Sequence, residues 1–272
     1  MTLIHAFFLG IIQGLTEFIP VSRTAHLLIG QKLMGLNSNS RMFSFLVLIQ
    51  MGTILALLLY FWHDFWHIGR AVVVGLIKRQ PLHNLEARLG WLVLIATLPA
   101  LAAGFLLKDV VQSMFEEELT QAGVRLLMSS ALLAGVEYFG RHTRALESAS
   151  WVDALAVGMF QVLSLFPGAS RSGSTIAGGI ARGFDRPSAA RFAFLMSAPI
   201  LLAAGIYETV RAIELPGTHE FLPYLFTGFT SAAVVGWLTI RWLMSFLHRH
   251  SLYVFAIYCF AAGLLCFIPE IL

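Results

Sequence analysis

Long apolar runs alternate with short polar stretches along the chain, and six of the runs approach the length of a membrane-spanning helix. A helix needs about 20 apolar residues to cross the hydrocarbon core of a bilayer. The six runs are Phe43–Phe61, Leu89–Leu107, Val124–Phe139, Arg191–Tyr207, Phe221–Leu243 and Leu252–Ile268. This pattern predicts an all-α polytopic membrane protein with six full spans.

Four further apolar runs are too short to span comfortably, and they form two interrupted pairs. The pairs are Leu3–Ile19 with Ala25–Met34, and Val152–Phe166 with Thr175–Ala181. Polar, proline-containing stretches at 20–24 and 167–173 break each pair in the middle. Because non-helical backbone at membrane depth must be buried in protein or line a wet cavity, we expect two re-entrant helical hairpins.

The charges in the loops predict how the chain is oriented in the membrane. Basic residues concentrate in loop 62–88, in the stretch after 140 and in the turn near 241–250. Acidic residues dominate loops 108–122 and 208–220. Since basic loops stay in the cytoplasm, we expect the first group of loops to be cytoplasmic and the second to face outward.

The two hairpins share a repeated pattern. Gly10 and Gln13 recur as Gly158 and Gln161, and residues 21–25 recur in residues 169–173. We therefore interpret the single domain 1–272 as two repeat halves, 1–145 and 146–272, each with one hairpin and three spans. Three is odd, so the second half enters the membrane upside down. The hairpins then meet from opposite faces near the midplane, where inverted-repeat proteins place their binding sites.

The composition excludes several classes of protein. Hydrophobic residues make up 58% of the 272 residues and charged residues only 12%, about half the charge of a soluble domain. An ordinary soluble enzyme, a disordered chain and a disulfide scaffold are thereby excluded. The net charge of +3 does not point to a nucleic-acid partner, so the lipid bilayer is the expected environment. Cys259 and Cys266, in the last apolar run, are interpreted as small buried hydrophobes.

Ionisable side chains inside apolar segments are costly, so each is a functional candidate. Glu17, Arg23 and His26 lie in the first hairpin, with Gln13 on the same helix face as Glu17, and Arg171 lies in the second. Glycine and serine at a turn that opens a helix leave backbone N–H groups free to bind phosphate. An arginine adds a planar guanidinium group that can donate two parallel hydrogen bonds to phosphate oxygens. The Glu17 carboxylate can bind a divalent cation or act as a general base. The His26 imidazole can act as an acid, a base or a nucleophile. This chemistry predicts a lipid phosphate or diphosphate as ligand.

Segment 13–22 followed by His26, and segment 167–175, resemble the two signatures of the undecaprenyl-diphosphatase (bacitracin-resistance) family. The resemblance covers the whole chain. It implies removal of the terminal phosphate of undecaprenyl diphosphate on the outer side of the bacterial cytoplasmic (inner) membrane, which recycles the lipid carrier for cell-wall synthesis. It implies catalytic roles for Glu17, His26 and Arg171, and a divalent cation (Mg or Ca) at Glu17 and Gln13. The implied substrate-binding residues are Ser22, Arg23, Thr24, Ser170, Ser172, Gly173, Ser174 and Thr175.

Three residues depart from the family pattern. Gln13 replaces a usual glutamate, and an amide is a poorer ligand than a carboxylate for a hard cation. Arg23 stands where the family has a serine that is one proposed nucleophile, and Ala25 replaces a glycine. We hypothesise that Arg23 binds phosphate directly, which would make the activity less dependent on a divalent cation.

Two other functions remain as alternatives. An inverted repeat with broken helices also suits a polyprenyl-phosphate transporter (flippase), which moves lipid without releasing phosphate. A protein that only sequesters the lipid diphosphate would neither release phosphate nor move the lipid across the membrane.

Two further patterns have a structural interpretation. His63 and His67 have the spacing of a helical metal pair, but the neighbouring tryptophans favour an aromatic belt at the membrane interface. The motif formed by Gly10 and Gly14 permits close helix contact. We expect this contact within one subunit, and a homodimer is left open.

Overall fold

Helices account for all the regular elements in the part of the chain that the computed structural model describes, which is residues 1–37, 40–107, 119–165, 170–213 and 218–268. In chain order they are α1 (Leu3–Thr16), α2 (Arg23–Leu33), α3 (Ser40–Tyr60), α4 (Trp62–Ile77), α5 (Leu85–Leu106), α6 (Leu119–Phe139), a 3-10 turn (Leu146–Ser148), α7 (Trp151–Leu163), α8 (Arg171–Ala181), α9 (Arg186–Ile213), α10 (Thr218–Leu247) and α11 (Tyr253–Leu265). The prediction of an all-α chain is confirmed for these ranges.

Within the ranges given above, five helices are long and apolar enough to cross a membrane, which makes the protein a multi-pass membrane protein. These segments are Arg41–Tyr60, Leu85–Leu106, Thr120–Phe139, Arg186–Tyr207 and Phe221–Leu247. They coincide with five of the six predicted spans. The sixth predicted span, Leu252–Ile268, contains only the 13 residues of α11, which is shorter than the length a straight crossing requires.

Helix α4 was not predicted, because its residues were assigned to the loop 62–88. It packs against α5, and its Asp64 carboxylate accepts a hydrogen bond from Arg191 of α9. Trp62 and Trp66 are exposed on it with their rings stacked 6.0 Å apart, as expected of an aromatic belt. Mixed polar and aromatic residues therefore form a partly exposed helix here rather than an open loop.

The two predicted hairpins are present as α1–α2, the first hairpin, and α7–α8, the second hairpin. Helices α1 and α7 both begin with a capping box, in which Thr2 pairs with His5 and Ser150 with Asp153. Helices α2 and α8 begin at Arg23 and Arg171, directly after serine N-cap residues. These four boundaries occupy equivalent positions in the repeat, although residues 166–169 of the second break lie outside the described ranges.

The first helix of each hairpin packs on a spanning helix from the other half of the chain, α1 on α10 and α7 on α5. Glycines permit both contacts: a Cβ on Gly10 would clash with the Gly228 carbonyl of α10, and a Cβ on Gly158 would clash with the Ala96 carbonyl of α5. A Cβ on Gly14 would likewise lie 2.9 Å from the Ala232 oxygen of α10. The glycine motif of α1 therefore serves packing within one subunit, as predicted.

A buried carboxylate fixes the base of the second hairpin. Asp153, at the start of α7, accepts hydrogen bonds of 2.8 and 3.1 Å from Arg144 and one of 2.7 Å from Arg182 at the end of α8. The hydrogen bonds to Asp153 raise the pKa of Arg144 above its ordinary value, so this guanidinium stays charged. Asp153 was not singled out from the sequence. Both cysteines are free and buried, as predicted.

Candidate functional site: an anion-binding cavity between two hairpins

The tips of the two hairpins meet at Glu17, the C-cap residue that directly follows α1. Its side chain is 1% exposed, and its Oε1 accepts a hydrogen bond from Arg171 Nη2, the first residue of α8. Ser172 also crosses between the hairpins, because its hydroxyl donates to the Ile19 carbonyl at 3.3 Å. The expected convergence of the hairpins is thus present in the structure.

Two further donors hold the second oxygen of Glu17. Arg23 Nη1 lies 3.2 Å and Gln13 Nε2 2.9 Å from Glu17 Oε2. Gln13 Nε2 also donates to the Thr53 hydroxyl of α3 at 3.2 Å. Thr53 is a residue that sequence reasoning missed, since it lies in an otherwise apolar span. A buried carboxylate needs such partners, because an unpaired charge in this environment would be costly.

A cavity of about 250 Å³ opens beside this cluster. The predicted site residues that line it are Glu17, Ser22, Arg23, Thr24, Ser170, Arg171 and Ser172. The Arg23 and Arg171 side chains are 31% and 25% exposed. With two guanidinium groups and one carboxylate, these lining residues carry a net positive charge.

Two helix N-termini border the same cavity. Helix α8 starts behind Ser170, whose hydroxyl accepts from the Gly173 N–H at 3.2 Å. Helix α2 starts behind Ser22, whose side chain does not cap the helix and whose backbone has a left-handed φ of 67°. The backbone N–H groups and dipole of a helix N-terminus attract anions. The cavity therefore has the chemistry of a phosphate or diphosphate site.

The second-hairpin residues Gly173, Ser174 and Thr175 lie in the first turns of α8 and are not among the described residues that line the cavity. Thr175 donates its hydroxyl to the Arg171 carbonyl at 2.8 Å, back along its own helix. Gly173 lies close to Pro20 of the first hairpin, since a Cβ added to it would lie 3.6 Å from the Pro20 Cβ. Gly173 thus lies where the two hairpin tips touch, and the role of all three residues as ligands of the substrate stays a prediction.

His26 is one turn along α2 from Arg23, but it is not among the described residues that line the cavity. Its Nδ1 pairs with the Ser22 carbonyl at 2.9 Å, and its Nε2 with the Tyr258 hydroxyl of α11 at 2.7 Å. The two rings stack with their centroids 5.6 Å apart. Tyr258 was missed from the sequence, because nothing in the local pattern relates α11 to the first hairpin.

The residues around Glu17 do not fit a divalent cation. Both Glu17 oxygens already accept hydrogen bonds from two arginines and an amide. Gln13 turns its Nε2 toward Glu17, so it offers no oxygen on that side. Within the described residues, His, Cys, Asp and Glu form no group of three or more that suits a metal ion. Two neighbouring guanidinium groups would also repel a cation.

These features define the class of the protein: a polytopic helical membrane protein with a positively charged cavity between two broken helix pairs. A family model described as bacitracin resistance protein BacA matches residues 6–265. A protein of Anaeromyxobacter dehalogenans (strain 2CP-C) named undecaprenyl-diphosphatase is 42% identical over 265 residues, covering 97% of this chain and 90% of that protein. The chain therefore belongs to the bacitracin resistance protein BacA family.

Other relatives agree with this assignment. Proteins named undecaprenyl-diphosphatase from Chlorobium phaeovibrioides and Myxococcus xanthus are each 40% identical to this chain. Both alignments cover 97% of this chain, and they cover 96% and 88% of the two relatives. The similarity thus extends over nearly the full length of all these proteins.

Proposed function

We propose that the protein is an undecaprenyl-diphosphatase, which hydrolyses undecaprenyl diphosphate to undecaprenyl phosphate and phosphate. This reaction recycles the lipid carrier of cell-wall synthesis and confers the bacitracin resistance after which the family is named. The observation that carries the proposal is the cavity between the hairpins, which has two arginines and two helix N-termini at its wall. The names of the relatives point to the same substrate.

In the proposed mechanism, the cavity binds the diphosphate head group while the polyprenyl chain stays in the membrane. Arg171 and Arg23 donate hydrogen bonds to the phosphate oxygens, and the N-termini of α2 and α8 add backbone donors. Glu17 holds both guanidinium groups in place through its two oxygens. Donors that are fixed before the reaction stabilise the charge that develops on the transferred phosphoryl group.

We further propose that the two arginines supply the positive charge that the predicted Mg or Ca would bring. Their geometry supports this, because both reach the rim of the cavity while they remain bonded to Glu17. For His26, the contacts with Ser22 and Tyr258 support a role in positioning the tip of the first hairpin against α11. Its role as acid, base or nucleophile stays a prediction.

The proposed topology is an inverted repeat of residues 1–145 and 146–272, with residues 252–268 as the sixth span. The reciprocal packing of α1 on α10 and of α7 on α5 supports it, as do the equivalent capping boxes of α1 and α7. We propose the bacterial inner membrane as the location, with the cavity open to its outer side. A homodimer stays a prediction.

Phosphate release from undecaprenyl diphosphate by the purified protein in detergent tests the function. We expect release by the wild type and a loss of about 100- to 1,000-fold in Arg171→Gln, because one fixed donor to the transition state is removed. Arg70→Gln is the matched control, since Arg70 is exposed on α4 outside the site.

Three results would contradict the proposal in different ways. Equal activity of Arg171→Gln and the wild type would remove Arg171 from the site. A folded wild type that transfers polyprenyl phosphate across liposomes without releasing phosphate would establish the flippase instead. Tight binding of the lipid diphosphate with neither outcome would establish a sequestering protein.

A further inference from the structure

Tyr258 of α11 bonds to the first hairpin although it lies at the other end of the chain. Its hydroxyl oxygen is 2.7 Å from His26 Nε2, and the two rings stack. The next residue, Cys259, is fully buried, and its Sγ lies 3.9 Å from the Pro20 carbonyl oxygen in the break of the same hairpin. Helix α11 therefore contacts the first hairpin at residues before and after Ser22.

The partners of the His26 ring determine which nitrogen carries the hydrogen. Nδ1 lies 2.9 Å from the Ser22 carbonyl oxygen, and a carbonyl can only accept, so Nδ1 is the donor. The other nitrogen of a neutral imidazole is then an acceptor, and it accepts the hydrogen of the Tyr258 hydroxyl. Tyr258 thus selects the His26 tautomer that donates to Ser22.

The Ser22 carbonyl belongs to a residue with an unusual backbone. Ser22 has a left-handed φ of 67°, a conformation that is unfavourable for a residue with a Cβ and persists only where its surroundings hold it. Its carbonyl accepts the backbone N–H of His26 at 3.3 Å in addition to the ring. Ser22, Arg23 and Thr24 line the cavity between the hairpins. A change in this turn would therefore displace Arg23, which bonds to Glu17.

We propose that Tyr258 is a positioning residue for the phosphatase reaction and acts through His26 on the backbone of Ser22. This inference rests on the proposed phosphatase function. Tyr258 fixes the His26 tautomer, His26 holds the left-handed turn, and the turn presents Arg23 and the start of α2 to the diphosphate. His26 is not among the described residues that line the cavity, which fits a hydrogen-bonded bridge rather than a group that exchanges protons with the substrate.

Phosphate release by His26→Gln and His26→Leu distinguishes a bridge from an acid, base or nucleophile. Glutamine does not titrate near neutral pH, but its amide offers both a donor and an acceptor. Gln31 shows that such an amide reaches back along this helix, since its Nε2 lies 3.1 Å from the Leu27 carbonyl oxygen. We expect His26→Gln to keep kcat within about tenfold of the wild type, with the same pH dependence, and His26→Leu to lose about 100-fold.

A double-mutant cycle tests whether Tyr258 acts through His26. Tyr258→Phe removes only the hydroxyl, so we expect kcat to fall about 3- to 10-fold, the effect of one hydrogen bond. In the His26→Leu background the same change should cost nothing further, because the hydroxyl has no ring nitrogen to bind. Tyr253→Phe is the matched control, since Tyr253 is exposed at the first position of α11. Thermal unfolding in detergent shows whether each variant is folded.

Each opposite result overturns the inference. An equal loss in His26→Gln and His26→Leu would establish His26 as an acid, base or nucleophile. Wild-type kcat in Tyr258→Phe, or the same loss with and without His26, would show that Tyr258 does not act through His26. A loss of activity that follows the melting temperature in every variant would make the contact with α11 purely structural. Absence of phosphate release from the folded wild type would instead overturn the phosphatase function, and this proposal with it.

Discussion

Glu17 connects the polar side chains at the tips of the two hairpins. Its nearly inaccessible carboxylate receives Arg171 from the second hairpin, and Arg23 and Gln13 from the first. A buried charge that lost these partners would be strongly destabilising, by about 3–5 kcal/mol for a well-buried pair. In return, the Glu17 carboxylate fixes the guanidinium groups of Arg23 and Arg171 at the wall of the cavity. In the proposed mechanism, Glu17 therefore acts on the lipid phosphate through the arginines it holds.

The charge balance at Glu17 leads to a prediction about cations. We expect phosphate release by the wild type to persist in excess EDTA, because Arg23 and Arg171 already supply two positive charges. Arg23→Gln removes one of them and should lower kcat/KM by about 10- to 100-fold. Phosphate release with and without EDTA is the measurement, and Arg70→Gln is again the control.

The opposite result is equally informative. Complete inactivation of the wild type by EDTA, reversed by Mg or Ca, would show that a cation binds despite the arginines. Enhanced activity of Arg23→Gln in the presence of Mg would show that Arg23 hinders such a cation instead of replacing it.

The sequence predicted one part of this site well and another part poorly. The predicted meeting of the two hairpin tips accounts for the proximity of Glu17 and Arg171, which are 154 positions apart. The direct hydrogen bond between them was not predicted. Tyr258 and Thr53 were not predicted, since each lies in an apolar helix whose partner in space has no signature in the chain. Gln161 did carry a signal, as the repeat of Gln13, but its place at the cavity wall becomes visible only in the structure.

At the scale of helices, the hairpins depend on close contact with spans from the other half of the chain. Gly158 allows α7 to approach the Ala96 carbonyl of α5, and Gly10 does the same for α1 and α10. A backbone carbonyl in the middle of a helix cannot move aside without breaking that helix. These glycines therefore set the depth at which each hairpin is held, and with it the position of the hairpin tips.

Substitution of Gly158 tests this contact. We expect Gly158→Ala to destabilise the protein by about 1–3 kcal/mol or more, because overpacking against backbone forces the helices apart. Gly135→Ala in α6 is the control: its added Cβ would have no packing neighbour within 4 Å beyond its own stretch of helix, and alanine should stabilise the helix by about 0.5–1 kcal/mol. Thermal unfolding in detergent measures both. A melting temperature of Gly158→Ala equal to that of the wild type would contradict the close packing.

The helices that differed from prediction did so for physical reasons. Helix α4 combines exposed tryptophans with polar residues. A search for apolar runs long enough to cross the membrane therefore assigns these residues to a loop. Its Asp64 gains a partner on α9 that is distant in sequence. Helix α11 ends at Leu265, short of the predicted span, because hydropathy gives the extent of an apolar run and not the point where a helix terminates.

For the whole molecule, the reciprocal contacts point to one arrangement. Each hairpin packs on a span of the other half, and the hairpin tips join through Glu17 and Arg171. In an inverted repeat the two hairpins approach from opposite faces, so their convergence places the charged cluster away from both surfaces. The cavity then gains low dielectric surroundings, which strengthen every charge interaction in it.

Thiol accessibility tests whether the hairpins enter from opposite faces. The background is a variant with Cys259 and Cys266 replaced by alanine, and single cysteines are introduced at the exposed residues Asn37, Gln80 and Arg141. Asn37 follows the first hairpin and Arg141 precedes the second, so an inverted repeat puts them on opposite sides of the membrane. We expect an impermeant maleimide to label Asn37→Cys in intact spheroplasts, and the other two only after permeabilisation, because loop 62–88 and the stretch after 140 are basic. Labelling of Asn37→Cys and Arg141→Cys from the same side would mean that both hairpins enter from one face, which is incompatible with an inverted repeat.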